Sequence, residues 1–298
     1  MKKIILVIYI FFSIVPQTFS QTTGWWIFRR VQSTKPKPVT AVAAVRGDLS
    51  GVFYNPSILG TISEKEIFFL SEVVGIGNDT FGGVLYGQPV GKFVGLSAGV
   101  VYYDAGKTTL YWIENGKEQN KSVTIQRDIL SLISGGKKIA TNLFAGISLK
   151  IANSTIVEAK TSWAVASDIG FLYFPIQNLS LSAAIQNIGI TTKFVEKEEP
   201  LPTSIWFGSC YGLDIGKTSF AVGVDFPYIL SEQKFVPTIG VELGIKFFAI
   251  NAGYRFNVKD ANFQIGFTTK LKNFDFGYSF VPSTYLSQTH RINLGLRW

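Results

Sequence analysis

Strict alternation of apolar and polar residues runs through most of this 298-residue chain. In the last segment, 290–298, the residues Ile292, Leu294 and Leu296 fall on one face, with polar or small residues between them. A period of two is the pattern of a β-strand whose two faces meet different surroundings. The chain is therefore predicted to be all-β from about Glu64 onward.

About fourteen such segments, each of roughly ten to thirteen residues, follow one another. They lie near residues 64–74, 80–90, 93–103, 127–138, 142–153, 163–174, 179–188, 201–213, 217–227, 234–245, 247–257, 261–271, 273–282 and 289–298. At a rise of ~3.3 Å per residue and a tilt of ~40–45°, ten residues climb roughly 24 Å, the height of the lipid-facing band of an outer-membrane barrel. We therefore predict a transmembrane antiparallel outer-membrane β-barrel of about fourteen strands.

The links between the segments alternate in length. Tight links such as 91–92 follow even-numbered segments, and longer links such as 104–126 and 189–200 follow odd-numbered ones. A barrel with both termini in the periplasm has this arrangement of short turns and longer outer loops. The alternative is a secreted β-sandwich, which gives a similar alternation but usually has strands about half as long. Segment length and link parity favour the barrel.

The first twenty residues have the layout of a secretory signal peptide. Two lysines precede an apolar run from Ile4 to Val15, and small residues come before Gln21. The alternative is a membrane anchor, but twelve apolar residues are too few to cross a hydrocarbon core about 30 Å thick as a helix. We predict that residues 1–20 are removed on export and that the protein resides in the bacterial outer membrane, in contact with its lipid.

Composition excludes several kinds of chemistry. The chain has one cysteine and one histidine, so disulfide frameworks, thiolate zinc sites and multi-histidine metal sites are excluded. Its formal net charge of +8 comes from scattered lysines and arginines, which argues against nucleic acid as a partner. We expect no cofactor, no metal and no enzymatic activity.

Residues 21–63 lack the strand pattern. Within them Asp48 is a candidate helix cap, and Asn55-Pro56 is a turn signal. We predict three parts: the signal peptide 1–20, a plug segment 21–63 beneath or inside the barrel, and the barrel itself, 64–298.

Five stretches carry a family resemblance. They are RGDLSGVFYNPSILG (46–60), LSAAIQNIG (181–189), KFVEKEEPLPTSIWFGSCYGL (193–213), FFAINAGYRF (247–256) and THRINLGLRW (289–298). In this order they resemble PorV/PorQ-type outer-membrane proteins and FadL-like barrels, in which the first stretch is an N-terminal signature. The matching signature positions are Asp48, Tyr54, Asn55 and Pro56, with Asp48 standing alone where the family has an acidic pair. The last stretch also resembles the C-terminal signal of outer-membrane barrels, ending in Trp298, which implies the barrel assembly machinery as a partner.

The resemblance implies a fourteen-stranded barrel with its N-terminal segment in the lumen. FadL proteins take up long-chain fatty acids and other hydrophobic molecules, so passage or binding of a small hydrophobic molecule is the leading functional hypothesis. PorV is an accessory of type IX secretion, and the alternative is therefore a scaffold that binds secreted protein cargo through its outer loops.

Strand parity assigns a set of charged residues to the lumen: Asp168, Asp225, Glu242, Arg255, Asp275, Arg291 and Arg297. They are expected either to line a polar passage or to pair with one another and hold the plug segment. Tyr111 and Trp112 lie beside the hairpin signal Asn115-Gly116, and a ribbon that projects outward is predicted there.

A remote alternative is an outer-membrane serine hydrolase. Gly95-Leu-Ser97-Ala-Gly99 matches the G-x-S-x-G motif, and His290 follows later in the chain. The motif requires a strand–turn–helix context, but here it lies within a strand segment, where small residues let backbones approach closely. His290 is more typical of an aromatic girdle or the periplasmic rim than of a catalytic base.

Overall fold

The computed structural model describes residues 25–31, 45, 47–74, 79–157, 160–194, 198–284 and 288–298. The predicted signal peptide, 1–20, lies outside the described residues. Eighteen strands and three short helices are present in the described part, and they are numbered here in chain order.

Fourteen strands form one closed antiparallel barrel. They are β1 (Glu66–Val74), β2 (Thr80–Gly91), β3 (Val94–Asp104), β6 (Gln126–Ala140), β7 (Leu143–Ile156), β8 (Lys160–Ile176), β9 (Leu179–Thr191), β10 (Ser204–Ile215), β11 (Thr218–Asp225), β14 (Thr238–Ile245), β15 (Phe248–Arg255), β16 (Phe263–Leu271), β17 (Phe274–Val281) and β18 (Thr289–Arg297). Each of these fourteen strands pairs with the next one in that order. The last strand, β18, pairs with β1 from Glu66–Arg297 to Val74–Thr289, which closes the sheet on itself. The predicted barrel of about fourteen strands is confirmed, and a two-sheet sandwich is ruled out.

Alternation decides which side of the wall each residue occupies. In β15, Phe248, Ile250 and Tyr254 are exposed on the outer surface, whereas Ala249 and Asn251 are buried inside. The other barrel strands repeat this arrangement and cover the outside of the barrel with large apolar side chains. A surface of this kind is stable only when something apolar covers it, such as the hydrocarbon of a bilayer.

The connections divide the barrel into two ends. Tight turns join β2 to β3, β6 to β7, β8 to β9, β10 to β11, β14 to β15 and β16 to β17, and this is called the short-turn end. The opposite, long-loop end carries a ribbon of β4 (Lys107–Glu114) and β5 (Lys117–Thr124), and a small hairpin of β12 (Tyr228–Ile229) and β13 (Lys234–Phe235). Asn115 and Gly116 both have positive φ, as their turn requires, and the predicted ribbon is confirmed.

The helices all precede the barrel. They are α1 (Trp26–Val31) and two 3-10 helices, η1 (Leu49–Phe53) and η2 (Pro56–Thr61). Asp48 caps η1 by accepting a hydrogen bond from the Ser50 amide, and Asn55 caps η2 in the same way through the Ser57 amide. Within the part of the chain that the structure describes, no helix has the length and apolar character needed to cross a membrane.

Candidate functional site

The lumen of the barrel is occupied by the chain's own N-terminal residues. We call residues 47–61, which contain η1 and η2, the η1–η2 segment. Both helices are buried throughout except for the half-buried Thr61. Helix η2 packs on the inner wall formed chiefly by β3, β6, β7 and β8, and η1 packs beside β1 and β2.

A row of glycines makes this close packing possible. Gly95, Gly136, Gly146 and Gly170 are successive register partners across β3, β6, β7 and β8. A Cβ atom at these four positions would lie only 2.0–2.6 Å from an atom of the η1–η2 segment. Any larger residue would collide with that segment, so the row is a flat surface against which η2 rests.

Hydrogen bonds fix the η1–η2 segment to the wall. Asn55 Nδ2 donates to the carbonyl oxygen of Phe171 at 2.9 Å. Gln186 Nε2 donates to the carbonyl oxygens of Phe53 at 3.0 Å and Tyr54 at 2.6 Å. Each of these bonds joins a buried side chain to a backbone carbonyl, so the segment is held in one position and register.

A buried polar cluster lies next to this contact, where the pairing of β8 with β9 is irregular. Lys150 Nζ lies 2.6 Å from Asp168 Oδ2 and donates to Asn187 Oδ1 at 2.9 Å. The Asn187 amide, which has a positive φ, donates to Asp168 Oδ1 at 2.8 Å. All three side chains are at least 96% buried, so the Lys150–Asp168 ion pair is shielded from solvent. Together with Asn187, this pair fixes the shape of the bulge.

One apolar cluster extends through this side of the lumen. It joins Trp25 and Phe28, at helix α1, with Val52 and Phe53 of the η1–η2 segment and with inward residues of the wall such as Leu132. Helix α1 lies towards the long-loop end, because Trp25 contacts the Phe194 ring at 5.3 Å and Arg29 forms an ion pair with Glu232. Neither Asn55-Pro56 nor strand parity could reveal this cluster, because it depends on the path of the N-terminal residues.

A charged part of the lumen lies beside the apolar cluster, where β18 lies between β1 and β17. Arg291 Nε lies 2.8 Å from Glu72 Oε2, and Arg297 lies 3.3 Å from Glu66 and 2.5 Å from Asp275. Glu72–Arg291 and Glu66–Arg297 are also register partners of β1 and β18, so two ion pairs bridge the seam where the barrel closes. The sequence reasoning missed both glutamates, although their spacing of six residues matches that of the two arginines.

The remaining predicted lumen residues also face inward. Asp225 is fully buried, Glu242 and Arg255 are half-buried, and Arg255 donates to the carbonyl oxygen of Ala261. The described contacts of the seven predicted lumen residues are mainly ion pairs with other residues of the barrel wall. The bonds that hold the η1–η2 segment come instead from Asn55 and Gln186, which parity reasoning did not select.

The hydrolase motif does not form a nucleophile elbow. Ser97 lies within β3, buried, and faces the lumen. The register row of Ser97 continues through Gly87 and Glu66 to Arg297. His290 lies seven residues from Arg297 along β18, which is about 23 Å at the rise of a strand. His290 lies on the outer face at the long-loop end, with Nδ1 2.8 Å from the Tyr278 hydroxyl oxygen and its ring 5.4 Å from that of Phe280, which fits the girdle alternative and not a rim at the short-turn end.

The predicted surface aromatics are exposed. Tyr111 and Trp112 of the ribbon have 74% and 43% of their surface exposed. Trp298 is 51% exposed, and its amide and carbonyl groups pair with Lys65 beside the start of β1. Within the described ranges, no group of three or more His, Cys, Asp or Glu side chains is placed to hold a metal.

Solved structures show the same fold. The crystal structure of the Pseudomonas putida toluene transporter TodX is similar over 89% of this chain and 96% of its own, with a TM-score of 0.55 and 12% identity. The CymD monoaromatic hydrocarbon channel is similar over 86% of this chain and 94% of its own, with a TM-score of 0.57 and 11% identity. No protein-family model and no curated protein sequence matches the chain. The chain has the closed barrel fold of outer-membrane channels.

Proposed function

We propose that this protein is a non-enzymatic outer-membrane barrel that binds or passes small hydrophobic molecules. The observation that carries the proposal is the apolar cluster inside the barrel. The interior of a water-filled porin is polar, whereas here one side of the lumen is apolar from α1 to η2. TodX and CymD, which share the fold, are described as a toluene transporter and a monoaromatic hydrocarbon channel.

The apolar lining is covered by the chain's own side chains. Phe28, Val52 and Phe53 are at most 2% exposed, and they fill the space that an apolar ligand would take. Burying a side chain of this size stabilises by roughly 1.5–3 kcal/mol, so a ligand that replaces it must supply a comparable contact. Small aromatic or aliphatic molecules meet this requirement, and hydrated polar solutes do not.

Ligand passage requires the N-terminal residues to move. A ligand shifts such an equilibrium only by binding the displaced state more tightly than the docked one. Arg29–Glu232 joins α1 to the connection between β12 and β13, so the long-loop end is where a ligand from outside first meets the N-terminal residues. The bend at Asn55-Pro56 is the second point at which the path must open.

The location of the protein is part of the proposal. The signal-peptide layout of residues 1–20 supports export, and the exposed apolar belt supports contact with outer-membrane lipid. The terminal Trp298 supports recognition by the barrel assembly machinery. With the short turns in the periplasm, the ribbon and the long loops face outward.

Uptake by whole cells tests the proposal. Cells that produce the full chain should take up the apolar dye N-phenyl-1-naphthylamine faster than cells with the vector alone. Periplasmic hydrolysis of the charged β-lactam nitrocefin should not change, because the charged solute finds no apolar path. Deleting residues 47–61 should raise both rates. Equal dye uptake with and without an assembled barrel would overturn the proposal.

A second candidate function is a scaffold of the PorV kind that binds secreted protein cargo. The exposed Tyr111 and Trp112 favour it, because aromatic residues are enriched at the centres of protein interfaces. It predicts that a larger protein co-purifies with the barrel from its native membrane, and that Tyr111→Ala with Trp112→Ala abolishes this without changing dye uptake. If the double variant instead loses dye uptake and still co-purifies with the larger protein, this candidate function is contradicted.

A further inference from the structure

A cavity of about 760 Å³ opens at the short-turn end of the barrel. It lies between the residues that lead out of η2, around Ile62, and the ends of β2, β6, β7 and β8. Its volume falls in the range of roughly 300–1,000 Å³ that small-molecule sites occupy. It adjoins the apolar cluster that carries the proposed function through Ile62, but it opens at the short-turn end, so a ligand bound here need not pass through the lumen.

One side of the cavity is apolar. The Phe93 and Phe144 rings meet edge to face with centroids 6.4 Å apart, and Phe144 and Phe174 do so at 5.7 Å. Ile62 and Ile176 extend this surface. Phe144 also packs on Ile58 of η2, so the aromatic wall is anchored to the η1–η2 segment.

The other side is cationic. Lys138 Nζ lies 4.4 Å and Lys92 Nζ 5.6 Å from the centroid of the Phe93 ring, so the two ammonium groups are within about 10 Å of each other. Among the described residues that line the cavity there is no aspartate or glutamate. Among the described ion pairs, neither lysine has a carboxylate partner.

The backbone at this site is a tight turn between β2 and β3. Phe93 has a φ of 64°, a conformation that side chains larger than glycine seldom adopt. Its carbonyl oxygen accepts a hydrogen bond from the Lys138 amide at 3.0 Å, which keeps the turn beside the lysine. Lys246 and Lys272 have a similar positive φ in two other short turns, so this conformation belongs to the turn, and its effect here is to place Phe93 beside Lys138.

We propose that this cavity binds an aliphatic amphiphile through a single anionic group. The anion lies between Lys92 and Lys138, where it receives charge-assisted hydrogen bonds from both ammonium groups. The aliphatic part lies along Phe93, Phe144 and Phe174. Two sources share this chemistry: a free alkyl carboxylate, and the phosphate headgroup of a membrane phospholipid.

Photo-crosslinking of the full-length chain, purified in a nonionic maltoside detergent, tests the proposal. The probes are decanoate carrying a diazirine on its chain and the matched diazirine-bearing decanol, with labelled peptides identified by mass spectrometry. Decanoate is expected to label peptides containing residues 60–63, 89–93 or 174–177. Decanol is expected to label them about ten-fold less, because it lacks the charge.

Matched variants separate the site from general partition into detergent. The double variant Lys92→Gln with Lys138→Gln should reduce decanoate labelling about ten-fold and leave decanol labelling unchanged. Lys217→Gln, which alters an exposed lysine in another short turn, should change neither. Unaltered heat-modifiable mobility on gels will show that each variant is an assembled barrel.

Competition identifies the source of the anion. Unlabelled decanoate displaces the probe if the site takes a free carboxylate, and dihexanoylphosphatidylglycerol displaces it if the site takes a headgroup phosphate. The proposal is overturned if neither competes, if decanoate and decanol label equally, or if the double variant labels like the unaltered chain.

Discussion

Replacing Gly146 by alanine should push η2 away from the barrel wall. A Cβ atom at this position would lie 2.3 Å from the carbonyl carbon of Pro56 and 2.4 Å from the amide nitrogen of Ser57. Ordinary contacts of a Cβ atom begin at 3.4 Å, so η2 must retreat by about 1 Å. Both colliding atoms are backbone, and no side-chain rotation removes the clash.

The loss of docking free energy follows from the contacts that such a shift breaks. The bond from Asn55 to Phe171, at 2.9 Å, would lengthen beyond hydrogen-bonding distance, and so would the two bonds from Gln186, which are now 3.0 and 2.6 Å long. At roughly 1 kcal/mol for each bond, undocking becomes about 3 kcal/mol easier. The displaced fraction of the η1–η2 segment should rise about 100-fold, since 1.4 kcal/mol corresponds to a factor of ten.

A single engineered cysteine measures this fraction. In a background with Cys210→Ala, which removes the chain's one cysteine, Ile58→Cys places a fully buried thiol on η2. A water-soluble maleimide then reacts at a rate set by how often η2 leaves the wall. Gly146→Ala should raise that rate about 100-fold, following the same 3 kcal/mol.

Gly135 provides the matched control. It lies on β6 beside Gly136 but faces outward, and a Cβ atom there would meet the flexible end of Leu96 at 3.2 Å and the Gly95 carbonyl oxygen at an ordinary 4.0 Å. Gly135→Ala should leave the maleimide rate unchanged. If Gly146→Ala and Gly135→Ala react alike while both form heat-modifiable barrels, the glycine row does not position η2, and the reasoning is wrong.

Three further predictions concern other parts of the barrel. Glu72→Gln should lower the free energy of unfolding by about 3–5 kcal/mol, because Arg291 then stays buried without its carboxylate, and thermal unfolding in detergent will show whether the melting temperature falls. Joint replacement of both by leucine should recover most of that loss. Tyr111→Ala with Trp112→Ala should leave that melting temperature unchanged, because the ribbon packs on little else; a fall would show that it supports the wall. Trp298→Ala should lower the yield of membrane-inserted barrel on pulse labelling, and an unchanged yield would exclude the terminal aromatic as an assembly signal.

The barrel itself could be predicted because its signal is repeated fourteen times. Each strand faces apolar surroundings on one side only, so the period of two survives in every segment, and the alternation at 163–174 predicts most of β8, observed as Lys160–Ile176. The Asn115-Gly116 signal predicted the ribbon, because both residues tolerate the positive φ that a hairpin turn requires. The hairpin of β12 and β13 was missed because two-residue strands show no periodicity.

The candidate site was less accessible to sequence reasoning. Asp168 was assigned to the lumen, but its partners Lys150 and Asn187 meet it only through a bulge whose position no local pattern marks. The route of α1 depends on contacts more than 160 residues away, such as that of Trp25 with Phe194. The glutamates at 66 and 72 could have been found, because antiparallel closure places equal spacings of opposite charge in register.

The seam between the first and last strands constrains how this protein is made. Residues 66 and 297 are register partners separated by almost the whole barrel sequence, so the ring is sealed only after the final strand has arrived. The strands that carry the glycine row, β3, β6, β7 and β8, all precede the final strand, so η2 can dock on the row before the ring is sealed. We therefore expect the η1–η2 segment to be enclosed while the ring is still open, and a chain shortened at its C-terminus should accumulate as an unsealed intermediate with that segment accessible to protease.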